Sequence, residues 1–214
     1  MIAANNRKPG WFFYPGWIAA TVLGILIAWL ITWAIVPRVV QVIGGTITLG
    51  GQTHVTEDYI GGYILLPALG VASGFLQYLL LRSYLPRMGW WTAATLLGWL
   101  LPFLVSALLI AGFRLEGGSI AQAAISVLAF GGLIGLPQWL ILRRRIHHAS
   151  WWFLASVVGW GIALALSGGS ISNSVDILTA LLLPPAAACV AWWLLLDRGF
   201  GARPKAMLRA GAAL

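Results

Sequence analysis

The chain has 214 residues, of which 60% are hydrophobic and only 8% are charged, and its formal net charge is +8. Uncharged runs of this length offer no polar face to water, so the composition excludes a soluble domain and predicts an integral membrane protein. The basic residues stand at the ends of apolar segments rather than along one stripe. This placement favours lipid headgroups as their partners and argues against nucleic-acid binding.

Six apolar segments follow one another along the chain. The first comes after a short basic start at residues 5–9 and is too long for the core of a signal peptide, so it is expected to be retained. A helix of about 20 residues crosses a bilayer, and each segment is therefore predicted to span one. The predicted spans form a single transmembrane domain over residues 1–214, at about 17–36, 61–81, 90–112, 120–142, 151–166 and 177–196.

One stretch of the chain occurs twice. Residues 74–99 align without a gap with residues 135–160, and ten of the 26 aligned positions are identical. Each copy ends one span, makes a short basic connection and starts the next span. The first, third and fifth spans also begin alike, and the second, fourth and sixth end alike, with the sixth most diverged. The pattern predicts an all-α membrane fold of three parallel helical-hairpin repeats in a pseudo-threefold arrangement.

Small residues recur on one face of five of the six predicted helices. In the odd spans Trp, Ala, Thr or Ser, and Gly stand at offsets 0, 3, 4 and 7, and in the second and fourth spans Gly, Gly and Gln stand at 0, 4 and 7. Small residues let helix backbones approach closely in lipid, so odd-span faces are expected to pack against even-span faces. The predicted helix-packing residues are Gly24, Gly70, Gly74, Gln77, Gly98, Gly131, Gly135, Gln138 and Gly159.

Two glutamines inside the spans allow two interpretations. Gln77 and Gln138 could contact a substrate or pigment, or they could join neighbouring helices by hydrogen bonds. The third repeat carries Trp192 at the equivalent position. A symmetric binding site would be expected to use all three repeats, so the sequence favours the hydrogen-bond interpretation.

The charges give an orientation. Eleven of the thirteen Lys and Arg residues fall on one side of the six-span arrangement, which the positive-inside rule assigns to the cytoplasm together with both termini. The location expected is therefore the cytoplasmic membrane. The predicted interfacial basic residues are Arg82, Arg87, Arg143, Arg144, Arg145 and Arg198. A belt of interfacial tryptophans is predicted beside them at Trp11, Trp17, Trp90, Trp91, Trp151 and Trp152.

The connection at residues 38–60 breaks the repeat, because it is much longer than the other connections on its side. Its valine, threonine and glycine content predicts a small external β-hairpin with a turn at Gly44-Gly45, and an unstructured connection is the alternative.

Groupings of residues typical of catalytic or metal-binding sites are scarce in this sequence. No carboxylate lies within a span, and no Ser-His-Asp grouping, phosphate-binding glycine loop or Cys-x2-Cys motif is present, so no catalytic residue is predicted and the chain is not expected to be an enzyme. His54 with Glu57 and Asp58 gives three ligands without a fourth, and the adjacent His147 and His148 lie in a basic turn, so no metal site is predicted. The sequence names no cofactor.

The run Gln-Trp-Leu-x-Leu-Arg, followed by Trp-Trp and Gly-Trp, resembles a group of uncharacterised small bacterial multi-pass membrane proteins that repeat the same phrase. The resemblance covers about residues 70–165 and implies fold and location only. The function expected is that of a non-catalytic accessory or interaction subunit, with membrane lipids and a membrane-protein partner. The alternative is a small permease or substrate-binding component for a neutral solute or lipid-like ligand, held near the pseudo-axis.

Overall fold

The computed structural model describes residues 10–85, 88–112, 128–144, 146, 148–166 and 174–199. These residues are mostly helical, so the all-α part of the prediction is confirmed. The helices are α1 (Phe13–Ile43), α2 (Thr56–Leu81), α3 (Trp91–Gly112), α4 (Leu133–Leu142), α5 (Ser150–Leu166) and α6 (Ser174–Gly199), with a π-helical turn (Leu128–Gly132) leading into α4.

The helices extend beyond several predicted boundaries. Helix α1 continues for seven residues past position 36, and α2 begins five residues before position 61. Among the described residues, α1 and α2 are long and apolar enough on their own to cross a membrane. Shorter apolar helical stretches cover Trp91–Val105, Phe130–Leu142, Ser150–Leu166 and Leu181–Leu195. Residues 120–127 of the predicted fourth span lie outside the described residues.

A short β-hairpin connects α1 to α2. Strands β1 (Thr46–Leu49) and β2 (Gln52–Val55) pair antiparallel, with Thr46 opposite Val55. The predicted turn at Gly44-Gly45 is wrong, because the turn is at Gly50-Gly51, where φ is 58° and 82°. Two successive residues with positive φ suit the tight turn of a two-residue hairpin. Gly44, with φ 103°, instead ends α1, and its N–H donates to the carbonyl of Val40 at 2.8 Å.

The six helices form a closed ring in the order of the sequence. Each helix packs on the next, and α6 packs on α1. The first turns of α1, α3 and α5 meet the last turns of α2, α4 and α6 in one cluster of buried side chains, so neighbouring helices run in opposite directions. We call this end of the ring the tryptophan end, because four buried tryptophans lie there.

Glycines stand at the closest approaches between helices within each hairpin. Gly24 of α1 lies against the backbone of Ser73 in α2. A Cβ atom on Gly98 would lie 2.5 Å from the carbonyl oxygen of Ile134, and one on Gly159 would lie 2.9 Å from Cα of Pro184. Contacts this short leave no room for a side chain.

A second set of glycines stands between hairpins. A Cβ atom on Gly70 would lie 2.5 Å from Cα of Leu96 in α3, and one on Gly74 would lie 2.8 Å from Cβ of Thr95. In the second copy, Gly131 and Gly135 approach α5 in the same way, at residues 156 and 157. The small faces of the odd helices therefore lie against those of the even helices, and this spacing brings polar side chains of neighbouring helices into reach.

Candidate functional site

Four buried tryptophans meet at the tryptophan end. They come from α1, α3, α5 and α6, and all six pairs of rings are in contact, with centroids 5.0 to 6.3 Å apart. The rings are mostly edge to face or tilted, the arrangements that aromatic quadrupoles favour. The members are Trp17, Trp91, Trp152 and Trp192, which we call the tryptophan cluster.

The cluster corrects the predicted belt. Trp17, Trp91 and Trp152 are not interfacial, since each is at most 4% exposed. The other three tryptophans of the predicted belt, Trp11, Trp90 and Trp151, are exposed. Adjacent residues on a helix point about 100° apart, which lets one tryptophan of each Trp-Trp pair face the inside of the ring while the other faces outward.

A chain of hydrogen bonds joins the first three helices. The indole N–H of Trp91 donates to Oε1 of Gln77 at 3.0 Å, and Nε2 of Gln77 donates to Oγ1 of Thr21 at 3.0 Å. The Thr21 hydroxyl donates in turn to the carbonyl of Trp17 at 2.9 Å. An indole can only donate, which fixes the orientation of the amide. We call this arrangement the first sector.

The same chain of hydrogen bonds recurs in the second copy of the repeat. Trp152 donates to Gln138 at 3.0 Å, Gln138 donates to Thr95 at 2.9 Å, and Thr95 donates to the carbonyl of Trp91 at 3.0 Å. This is the second sector. Both glutamines are buried, and each joins a hydroxyl on the preceding helix to an indole on the following helix. These are the bonds that the hydrogen-bond interpretation of Gln77 and Gln138 expects.

The third sector, where α5, α6 and α1 meet, is built differently. Trp192 stands in place of the glutamine and joins the tryptophan cluster, and its buried Nε1 has no hydrogen-bond partner among the described residues. Ser156 stands in place of the threonine and donates to the carbonyl of Gly131 at 2.8 Å. Cys189 stands in place of Gly74 and Gly135, and its thiol donates to the carbonyl of Tyr14 at 3.4 Å.

A cavity lies inside the ring, bordered by residues from all six helices. The centre of a water molecule can move through about 70 Å³ of it. None of the described lining residues is charged. Aromatic rings and the Pro184-Pro185 pair form much of its wall, and the polar side chains that line it are Thr21, Ser73, Gln77, Thr95, Gln138 and Ser156.

Two deeper tryptophans complete the aromatic wall. Trp99 and Trp160 contact one another edge to face, with ring centroids 5.6 Å apart, and both line the cavity. Both side chains therefore pack inside the ring of helices.

The predicted interfacial arginines lie near the tryptophan end where they are described. Arg82, Arg143 and Arg144 are exposed, and the guanidinium of Arg143 sits 5.0 Å above the ring of Trp139. Arg87 and Arg145 lie outside the described residues, as does the side chain of Arg198.

Of the histidine candidates, the structure describes His54 and His148. His54 stacks on Tyr59, with ring centroids 5.2 Å apart. In the part of the chain that the structure describes, no three His, Cys, Asp or Glu side chains come together in a way that could hold a metal ion. His147 lies outside the described residues.

Sequence reasoning missed the tryptophan cluster, although its alternative function placed a ligand near the pseudo-axis. The signal was present, because Trp17, Trp91 and Trp152 are equivalent positions of the repeat, and equivalent positions in a closed ring face the same axis. Comparison of the chain with protein-family models, curated proteins and solved structures finds no match. The proposed function therefore rests on the geometry of the site alone.

Proposed function

We propose that the chain is a six-span protein of the bacterial inner membrane that binds a small uncharged molecule inside its ring of helices, as a binding or permeation component. The observation that carries the proposal is the cavity, which offers hydroxyl and amide groups beside aromatic rings and no described charge. Ligand sites combine apolar walls with a few convergent polar groups in this way.

The outer surface of the ring supports a membrane location. On α1, the side chains of Leu26, Trp29, Leu30 and Trp33 are all exposed and repeat at helical spacing. A continuous apolar face of this kind is unfavourable in water and suits lipid. Helices α1 and α2 are long enough to cross the bilayer. With α3 to α6 crossing it as well, the chain has six spans.

The orientation follows from the basic residues. Arg82, Arg143 and Arg144 sit beside the tryptophan end, so the positive-inside rule places that end at the cytoplasm, with both termini inside. The β-hairpin then lies outside, and cysteine labelling at His54→Cys tests this placement. Labelling only from the cytoplasmic side would contradict the orientation.

The ligand is uncharged because of the cost of burying a charge. An ion in a membrane-embedded cavity needs a counter-charge or many oriented dipoles, whereas a neutral polar group needs only hydrogen bonds. Hydroxyl and amide side chains supply those bonds. We therefore expect the cavity to discriminate between neutral and charged molecules of equal size.

A matched pair of small molecules tests this proposal. Acetamide and acetate have nearly the same shape and differ in charge. Acetamide should raise the thermal unfolding midpoint of the purified protein in mild detergent, with saturation, since a ligand that binds only the folded state stabilises it. Acetate should not. Ala188→Leu, which places bulk in the cavity wall, should abolish the acetamide effect. Equal effects of the two molecules, or none, would contradict the proposal.

A second candidate function is an accessory subunit of a larger membrane complex. The observation that favours it is the exposed aromatic pair Trp29 and Trp33 on the outer face of α1. Tryptophan is enriched where membrane proteins contact partners. Native purification should then yield a stoichiometric partner that is lost with Trp29→Ala and Trp33→Ala but kept with Trp193→Ala, another exposed tryptophan. A parent chain that purifies alone would remove this candidate.

A further inference from the structure

The third sector lacks one chemical group that the other two sectors have. In the first and second sectors, a glutamine carboxamide accepts from an indole with its carbonyl and donates to a hydroxyl with its N–H. The equivalent indole and hydroxyl of the third sector are those of Trp17 and Ser156, and Trp192 replaces the glutamine between them. The third sector has no carboxamide of its own.

We propose that the ligand of the cavity sits in the third sector and carries a carboxamide or an equivalent carbonyl and N–H pair. Its carbonyl oxygen accepts from the indole N–H of Trp17, and its N–H donates to Oγ of Ser156. The ligand thus supplies the group that Gln77 and Gln138 supply elsewhere. This inference rests on the proposed function and narrows it to one sector and one ligand chemistry.

The hydrogen-bonding capacity of the two side chains fixes the polarity of the ligand. A serine hydroxyl has one hydrogen, and Ser156 uses it on the carbonyl of Gly131, so it can offer the cavity only lone pairs. The indole of Trp17 can only donate. A partner that bridges them must therefore present an acceptor to Trp17 and a donor to Ser156.

The third sector contributes to the wall of the cavity. Trp192 is turned into the tryptophan cluster, with its ring centroid 5.5 Å from that of Trp17 and 5.0 Å from that of Trp152. The small residue Ala188 lines the cavity one turn earlier on α6. A water molecule needs about 10 to 15 Å³ measured in this way, so the cavity suits a molecule of about five non-hydrogen atoms.

Nuclear magnetic resonance of the indole groups tests the assignment. Protein labelled with ¹⁵N at the indole nitrogens is titrated with acetamide in detergent, and the signals are assigned by Trp→Phe variants. The Trp17 signal should move with saturation. The Trp91 and Trp152 signals should move little, because their N–H groups already donate to glutamines.

A hydroxyl of the cavity and a buried hydroxyl outside it give a matched pair of variants. Ser156→Ala should raise the acetamide Kd about five- to tenfold through loss of one hydrogen bond. Thr32→Val removes a buried hydroxyl that bonds to its own helix at the carbonyl of Ala28 and does not line the cavity, so it should leave Kd within about twofold. Ser156→Thr keeps the hydroxyl and restores the residue type of the other sectors, so it should also bind.

The outcomes separate this inference from the proposed function. Saturable shifts at Trp91 and Trp152 without one at Trp17 would overturn the third-sector assignment and leave neutral-ligand binding intact. Equal effects of Ser156→Ala and Thr32→Val would also overturn it. No saturable shift at any indole, together with no acetamide effect on thermal unfolding, would overturn both. If Ser156→Ala does not fold, the pattern of indole shifts in the parent decides.

Discussion

The first two sectors of the ring and the third sector solve the same packing problem in different ways. In the first two, glycines bring the helices together and a glutamine joins three of them by hydrogen bonds. In the third, Cys189 replaces the glycine and Trp192 replaces the glutamine. The aromatic cluster there substitutes contact area for hydrogen bonds, and Trp17 and Ser156 line the cavity.

This difference separates a structural role from a binding role. A hydrogen-bonded glutamine satisfies its neighbours and leaves them little capacity for a ligand. In the third sector no amide occupies the position of the glutamine. The indole donor of Trp17 and the hydroxyl acceptor of Ser156 therefore stay available to a ligand. A buried hydrogen-bond donor that has no partner among the described residues, such as Nε1 of Trp192, lowers folding stability by about 1 to 3 kcal/mol. Folded proteins contain few such groups.

The largest expected effect comes from the tryptophan cluster. Trp192→Ala should destabilise the protein by about 3 to 5 kcal/mol, because it removes a fully buried aromatic side chain and leaves a cavity. Trp193→Ala, at the next residue, should cost little, since that side chain is 55% exposed. Unfolding in detergent, followed by circular dichroism, measures both. Equal losses would show that Trp192 lies in an environment like that of Trp193.

The glycine contacts are expected to come next. Gly74→Leu and Gly135→Leu should each destabilise by about 3 kcal/mol or prevent folding, because the new side chain meets a neighbouring helix. Cys189→Leu should cost less, since a side chain already occupies that position. Gly61→Leu is the control in α2, because a Cβ atom there meets nothing within 4 Å. If the two glycine variants melt like the parent, the close packing of the first two sectors is wrong.

A smaller effect is expected at the glutamines. Gln77→Leu and Gln138→Leu should each destabilise by about 1 to 2 kcal/mol, because two interhelical hydrogen bonds are lost and an indole N–H is left without its acceptor. Gln41→Leu is the matched control, since Gln41 is exposed on α1. Thermal unfolding of the three variants gives the comparison. A loss at Gln41 as large as at Gln77 would contradict the assigned bonds.

The repeat made much of the architecture predictable. Helical periodicity of small residues indicated which faces meet, and the glycines at 24, 98 and 159 stand at those contacts. The end of α1 was less predictable, because the β-branched run at residues 39–43 suits a strand and a membrane helix equally well. Gly44 decides where the helix ends, through a backbone conformation that the sequence alone does not specify.

The candidate site was predictable only in part. The replacement of glutamine by Trp192 is visible in the sequence, but the position of its ring depends on Trp17, 175 residues earlier in the chain. Local patterns cannot supply such a contact. The Trp-Trp pairs misled for a related reason, since an interfacial pattern and a buried cluster both place tryptophan at the start of a span.

The closed ring depends on the contact between α6 and α1, and the third sector exists only if these two helices pack together. Cys189 lies 3.4 Å from the carbonyl of Tyr14, so a second cysteine on that turn of α1 is within disulfide range. With Tyr14→Cys or Ile18→Cys, mild oxidation in native membranes should join α1 to α6 within one chain, as mass spectrometry of the linked peptides would show. Phe12→Cys, at an exposed position, should not form the link. No intrachain link from position 14 or 18, or an equal yield from position 12, would contradict the closed ring.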